Sequence, residues 1–293
     1  MISGKFLTRT ALAGAFITAA AFALYSQTPQ GQTQQTPAQQ KPAAGAQTAP
    51  EQPSEMGAGW RTQDFEPYVK SLKELERIGK EYSQTVLKQA IDEYSTGRDL
   101  LNDMENEIIK SKAAYEKKNN LNERWYWQEI DRRNEESRHI SFVKTESKMK
   151  AVTHFTKSIN LIDKVQSVEV RKSPEFVNFQ TVLFQSYIST QYDLYNLKPC
   201  IPILERYVGI SEKTRNDVWA WKYMASCYGF MEAHLIKYGQ VSDDLIVEYK
   251  QKKNRSLLRS IELQYGVESP QYQQLKDIVE LDEKKSEKVN AFK

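Results

Sequence analysis

Glu136-x-x-His139 has the spacing of half a di-iron carboxylate site, in which a glutamate and a histidine one helical turn apart hold metal from one helix. The matching half is missing: Ala151 stands three residues before His154, and Met231 three before His234. With Glu135, Arg138 and Lys144 around it, the pair reads as a solvated charged face. The three histidines show no H-x-x-x-H or H-E-x-x-H spacing, so zinc is not supported. No Gly-x-Ser-x-Gly elbow, Cys-x-x-Cys pair, glycine-rich phosphate loop or dinucleotide fingerprint occurs. Catalytic residues, a cofactor and a metal are therefore not expected, and the sequence does not read as an enzyme. Cys200 and Cys227 are the chain's two cysteines. In an oxidising compartment they could form a disulfide; equally, small buried cysteines are ordinary in helix-pair cores.

The elements that would position these residues start with a leader. Residues 1–26 read as a secretory signal peptide: Lys5 and Arg9 precede an uncharged apolar run from Ala11 to Leu24, too short to span a bilayer comfortably. Cleavage after Ala23 or Ser26 is expected, with no cysteine nearby to carry a lipid. Residues 27–59, rich in Gln, Pro, Thr and Ala, hold five of the ten prolines and no aromatic residue, and read as a disordered tether. Across the chain 41 Lys and Arg face 38 Asp and Glu, two of the bases lying in the leader. That balance leaves no excess to attract nucleic acid or an anionic membrane.

From Trp60 onward only five prolines and six glycines interrupt the chain. Leu72, Leu75, Ile78, Tyr82, Val86, Ala90, Tyr94, Leu101, Met104 and Ile108 recur in steps of three and four, with one step of seven around Gly97. The pattern predicts one amphipathic helix over residues 64–117, about 75–80 Å long at 1.5 Å per residue. Residues 117–122 form the expected turn. A second helix carries Trp125, Ile130, Phe142, Met149, Val152, Phe155, Ile159, Ile162 and Val165 on its apolar stripe. Together they predict a long antiparallel hairpin over residues 60–166. Such a hairpin buries one stripe per helix and needs a third layer or another protein.

Residues 167–174 read as a loop, and Pro174 opens a further helix. The windows Gln180-x-x-Leu183-Phe184-x-x-Tyr187 and Trp221-x-x-Met224-Ala225-x-x-Tyr228 lie 41 residues apart and approximate the opening helix of a tetratricopeptide repeat. With helices near 199–209, 243–264 and 270–289, residues 167–293 are expected to form a degenerate tetratricopeptide-like module. The fold class is thus all-α: a long hairpin followed by a repeat-like module, elongated overall. In such a module the first helix of each pair lines a groove, which would present Asn178, Gln185, Ile188, Trp219, Lys222 and Phe230 to a partner. Trp125, Tyr126 and Trp127, about 100° apart on a helix, cannot all face one core. They either bind a partner or fold over the hairpin tip.

The stretch from Trp60-Arg61-Thr62 through Tyr82, and again Trp219-Ala220-Trp221-Lys222-Tyr223, resembles the flagellar coiling protein A family of the spirochaete periplasmic flagellum. The likeness covers about residues 60–293. It implies a non-enzymatic, exported protein that coats the periplasmic filament as part of a sheath, shaping the filament for motility. The implied partners are other sheath proteins, the flagellin core and further copies of itself, without nucleic acid and without a membrane anchor once the leader is cleaved. The alternative from the residues alone is a periplasmic adaptor that grips one partner peptide in the repeat groove.

Overall fold

The computed structural model describes residues 68–121, 129–239 and 243–291, all within the compact unit Trp60–Lys293. Among them are eleven helices and no strand: α1 (Tyr68–Glu81), α2 (Thr85–Asn102), α3 (Met104–Lys118), α4 (Glu129–Ile162), α5 (Val168–Lys172), α6 (Pro174–Asp193), α7 (Cys200–Val208), α8 (Glu212–Arg215), α9 (Val218–Tyr238), α10 (Asp243–Tyr265) and α11 (Pro270–Ala291). The all-α expectation holds.

The single helix expected over residues 64–117 is three helices where it is described. After α1 the chain closes in a Schellman motif: the Gln84 amide donates to the Gly79 carbonyl at 2.7 Å and the Ser83 amide to Lys80 at 3.1 Å. Ser83 takes the left-handed position at φ 56°, usually a glycine's place. Asn120 (φ 53°) ends α3 and Tyr195 (φ 55°) follows α6 in the same way, through Leu121 to Glu116 and Asn196 to Gln191. Between α2 and α3 only Asp103 departs from helical geometry, and its amide still donates to Asp99. The loop expected at 167–174 holds the short helix α5, capped by Ser167. Ser173 and Pro174 then start α6, the Ser173 hydroxyl accepting from the Phe176 amide.

One apolar core runs from Leu72 in α1 to Tyr228 in α9. Within it α2 packs extensively on α4. Gly97 removes the side chain at their closest approach: a Cβ there would stand 2.7 Å from the Phe155 ring and 3.1 Å from the Ala151 carbonyl. Beside it Ser158, fully buried, donates to the Ala90 carbonyl at 2.7 Å, and Tyr94 meets Phe179 of α6 edge-on at 5.5 Å. Helix α6 packs against α1, α4, α5 and α7, so it is apolar around most of its circumference.

The later helices are joined by polar groups as much as by apolar ones. Gln185 donates to the Tyr207 hydroxyl (2.8 Å), which donates to Asp217 (2.7 Å), whose other oxygen caps α9 at the Trp219 amide. This chain ties α6, α7 and α9 together. Between α9 and α10 the stem of Lys253 lies 3.3 Å from where a Gly229 Cβ would be, and its ammonium meets Glu232 at 2.6 Å, both side chains less than a tenth exposed.

Gly97→Ala is expected to destabilise the protein by about 1–3 kcal/mol in denaturant unfolding, because the Phe155 ring has nowhere to move. Lys253→Met is expected to cost about 3–5 kcal/mol by stranding the buried Glu232 carboxylate, with most of the loss recovered when Glu232→Leu is added. A harmless single substitution would show that water reaches the pair.

Candidate functional site

The surfaces open to a partner are set by how far the core extends along α4. Its C-terminal half is inward at Ala151, Phe155, Ser158, Ile159 and Ile162. Toward the N-terminus the inward residues become Ser147 and His139, both polar, while Ile130, Phe142 and Met149 are each more than half exposed. These three were expected on the apolar stripe. The reason lies in the spacing: steps of three from Met149 through Val152 to Phe155 fall about 60° short of a turn each, so Met149 sits about 120° from Phe155. The drift was readable in the sequence.

Across from this half of α4 lies α3, which has no buried residue. It packs on α4 and adjoins the end of α2. The two helices meet through polar and aromatic contacts. His139 stacks on Tyr115 at 4.3 Å and its Nε2 lies 2.9 Å from the Ser111 hydroxyl. The Tyr115 hydroxyl donates to Glu135 at 2.9 Å, a bond that raises the tyrosine's pKa. Glu136 sits beside Lys112. His139 is thus buried against α3, not on the solvated face the sequence suggested. On the outside of α3, Ile109 is 71% exposed. The hairpin arm is held by a thin interface and carries large apolar side chains outward, where monomeric surfaces are usually polar.

Of the residues expected to line a groove, two face inward. Ile188 is fully buried because α6 is packed on several sides, and Gln185 is engaged with Tyr207. Asn178 is exposed on α6. Trp219 and Lys222 come together, the ammonium 4.7 Å from the ring centre, next to Tyr223 and Tyr192; burial lowers the Lys222 pKa. Phe230, 44% exposed, starts an aromatic row on α9 that continues through His234 to Tyr238. Trp125, Tyr126 and Trp127 lie outside the described residues. The two repeat-like windows fall on α6 and α9, with Leu183, Phe184, Tyr187, Met224, Ala225 and Tyr228 all buried. Burial, together with the Glu205 carboxylate that accepts from its hydroxyl, pushes the Tyr228 pKa up.

Cys200 and Cys227 are both buried free thiols, the Cys200 sulfur lying 3.6 Å from the Asn196 carbonyl and 3.9 Å from that of Ile188. Among the described residues there is no group of three or more metal-ligating side chains, and no helix long and apolar enough to cross a membrane. The groove between α2 and α4 around Glu93, His154 and Lys157 is wide and open, and the imidazole Nδ1 lies 2.6 Å from the Glu93 carboxylate.

Sequence reasoning missed Tyr195. It is 85% exposed and holds the left-handed backbone conformation that costs a bulky residue most.

With these surfaces described, comparison with known families is decisive. A family model described as FcpA matches residues 33–288. The chain belongs to the FcpA family. It is a flagellar coiling protein, and the family is one of structural flagellar proteins. The match begins inside the segment read as a tether, upstream of Trp60 where the resemblance read from the sequence starts. No curated protein matches the chain.

Tyr195→Gly is expected to raise stability by up to about 1 kcal/mol, since glycine meets no penalty at positive φ. Thermal unfolding reads this directly, and a lower Tm would mean that the tyrosine makes stabilising contacts within the chain.

Proposed function

We propose that this protein is exported to the periplasm and coats the flagellar filament there as part of its sheath, giving the filament its coiled shape without catalysing a reaction. One observation carries the proposal: in a member of a flagellar coiling family, the arm formed by α3 and the first half of α4 turns Ile109, Ile130, Phe142 and Met149 outward. Burying apolar side chains of this size contributes about 1.5–3 kcal/mol each, so neighbours in a coat would gain from covering them. Charge supports close packing as well. Lysines and glutamates alternate along α1 and pair on the helix surface, as Arg77 does with Glu74 and Glu81, so copies set side by side would not repel strongly.

The expected occupants of these faces are flagellin, other sheath proteins and further copies of the chain. The exposed Tyr195 and the Phe230–His234–Tyr238 row offer additional contact points of the kind enriched at interfaces. A peptide-gripping adaptor is less well supported, because Ile188 and Gln185 are committed inside the fold.

Periplasmic filaments purified from the source cells should contain this protein as a major component by mass spectrometry. Phe142→Glu combined with Met149→Glu should leave helicity and Tm unchanged, since both side chains are solvent-facing, and should reduce co-sedimentation with filaments at least several-fold. Undiminished co-sedimentation would remove the arm from the interface, and absence of the protein from filaments would overturn the proposal.

A further inference from the structure

We propose that the outer face of α9 is a docking seam for one amphipathic α-helix with acidic flanks, carried by another polypeptide. The seam is a face apart from the arm, and it stands whether or not the protein coats a filament. Helix α9 packs on α10 and α7, and its inner side buries Ala220, Met224, Cys227, Tyr228 and Met231. Its other side carries Trp219, Tyr223, Ser226, Phe230, Ala233 and Lys237, in steps of four, three, four, three and four. That is the 3.5-residue repeat of a coiled-coil seam, so the six side chains stay in line over about 27 Å at 1.5 Å per residue. The first three are half-buried and the last three exposed, Phe230 to 44%. An aromatic stripe at helical spacing usually marks a core, but here a separate stripe of the same helix fills the core.

Size and charge along the seam describe its occupant. Rings alternate with small side chains: Tyr223 and Phe230 are knobs, while Ser226 and Ala233 leave holes. The facing helix therefore carries large apolar side chains at two positions one heptad apart. Neighbouring rings brace the knobs, Tyr192 of α6 meeting Tyr223 edge-on at 4.7 Å and His234 lying 6.2 Å from Phe230, so docking orders little that is not already ordered. Charge on this helix is one-sided. Lys222 holds its ammonium 4.7 Å from the Trp219 ring centre, and Lys237 holds its own 4.8 Å from that of Tyr238. The one carboxylate of α9, Glu232, is buried against Lys253. At the start of the seam Asp193 is taken up by Lys148, and Asp217 by Tyr207 and the Trp219 amide. Two cations four turns apart with no exposed acid of α9 between them suit carboxylates flanking the apolar row of a partner helix. They repel the same face of a second copy, which would set lysines beside lysines.

The probe is a water-soluble carbodiimide, which joins an ammonium to a carboxylate in direct contact, applied to intact source cells and read by mass spectrometry of the full-length protein. Lys222 and Lys237 should each be joined to an Asp or Glu of another polypeptide. The two acceptors should lie in one segment about 14–15 residues apart, the spacing that four helical turns impose. Ala233→Trp, which fills a hole at an exposed position, should leave Tm unchanged and lower both cross-links several-fold, while Ala233→Ser keeps them. Lys237→Glu, which leaves the holes open, should lower the Lys222 cross-link as well. Absence of both cross-links from the unaltered protein overturns the seam, as does a Lys222 cross-link undiminished in Ala233→Trp and Lys237→Glu. Sedimentation of the purified protein decides against the remaining occupant: a dimer that Ala233→Trp dissociates would put a second copy on this face and overturn the acidic helix.

Discussion

The close approach of α2 and α4 at Gly97 is the contact on which the rest of the structure depends. Because that residue has no side chain, the Phe155 ring can lie against the backbone of α2, and the Ala151 carbonyl can come near. Phe155 then meets Tyr94, and Tyr94 meets Phe179, so one close approach links the hairpin to α6. Helix α6 in turn carries α7, and through Tyr207 and Asp217 the start of α9. A larger residue at 97 would spread the two helices and disturb the seat of α6 on α4, from which α7 and then α9 follow.

The same contact explains why the molecule has an arm. Close packing of α2 on α4 ends where α2 ends, and α3 beyond it has no buried residue to continue the stripe. From there the two helices are joined by His139 on Tyr115 and by hydrogen bonds at Ser111 and Glu135. Such contacts are directional and contribute modestly to stability in the presence of water, which makes them suited to positioning the arm more than to burying it. The apolar side chains that could have formed a core there point the other way. A structure in which polar groups face inward and apolar ones outward is poorly arranged for a lone molecule and well arranged for a subunit in an assembly.

How much of this could be read in the sequence follows from which residues carry the signal. Sparse prolines and glycines and the three-and-four spacing gave the all-helical class, and Leu72, Leu75, Ala90, Tyr94, Phe155, Ile159 and Ile162 are core residues as their spacing implies. The end of α1 was hidden because Ser83, not glycine, takes the left-handed position, and the capping box at Ser211 and Thr214 was a readable signal for α8 that hydrophobic periodicity alone passes over. On α10 the inward face carries Lys253, Asn254, Ser256 and Ser260, which no apolar pattern predicts, since their burial depends on partners such as Glu232 from another helix. For the candidate surfaces the sequence did less well. Ile188 was placed on a groove because helix pairs in repeats expose that position, yet here α6 is surrounded. Tyr195 becomes visible only when burial is known, whereas the outward phase of Met149 follows from its spacing to Phe155 and was passed over.

The central claim is that the outward apolar side chains of the arm are covered when the protein is in the filament. Hydroxyl-radical footprinting of the free protein and of intact periplasmic filaments, read residue by residue by mass spectrometry, measures that cover directly. The account predicts that Ile109, Ile130, Phe142 and Met149 react readily in the free protein and are strongly protected in filaments, while buried residues such as Phe155 stay protected in both. Equal reactivity of those four in free and filament-bound protein would contradict it.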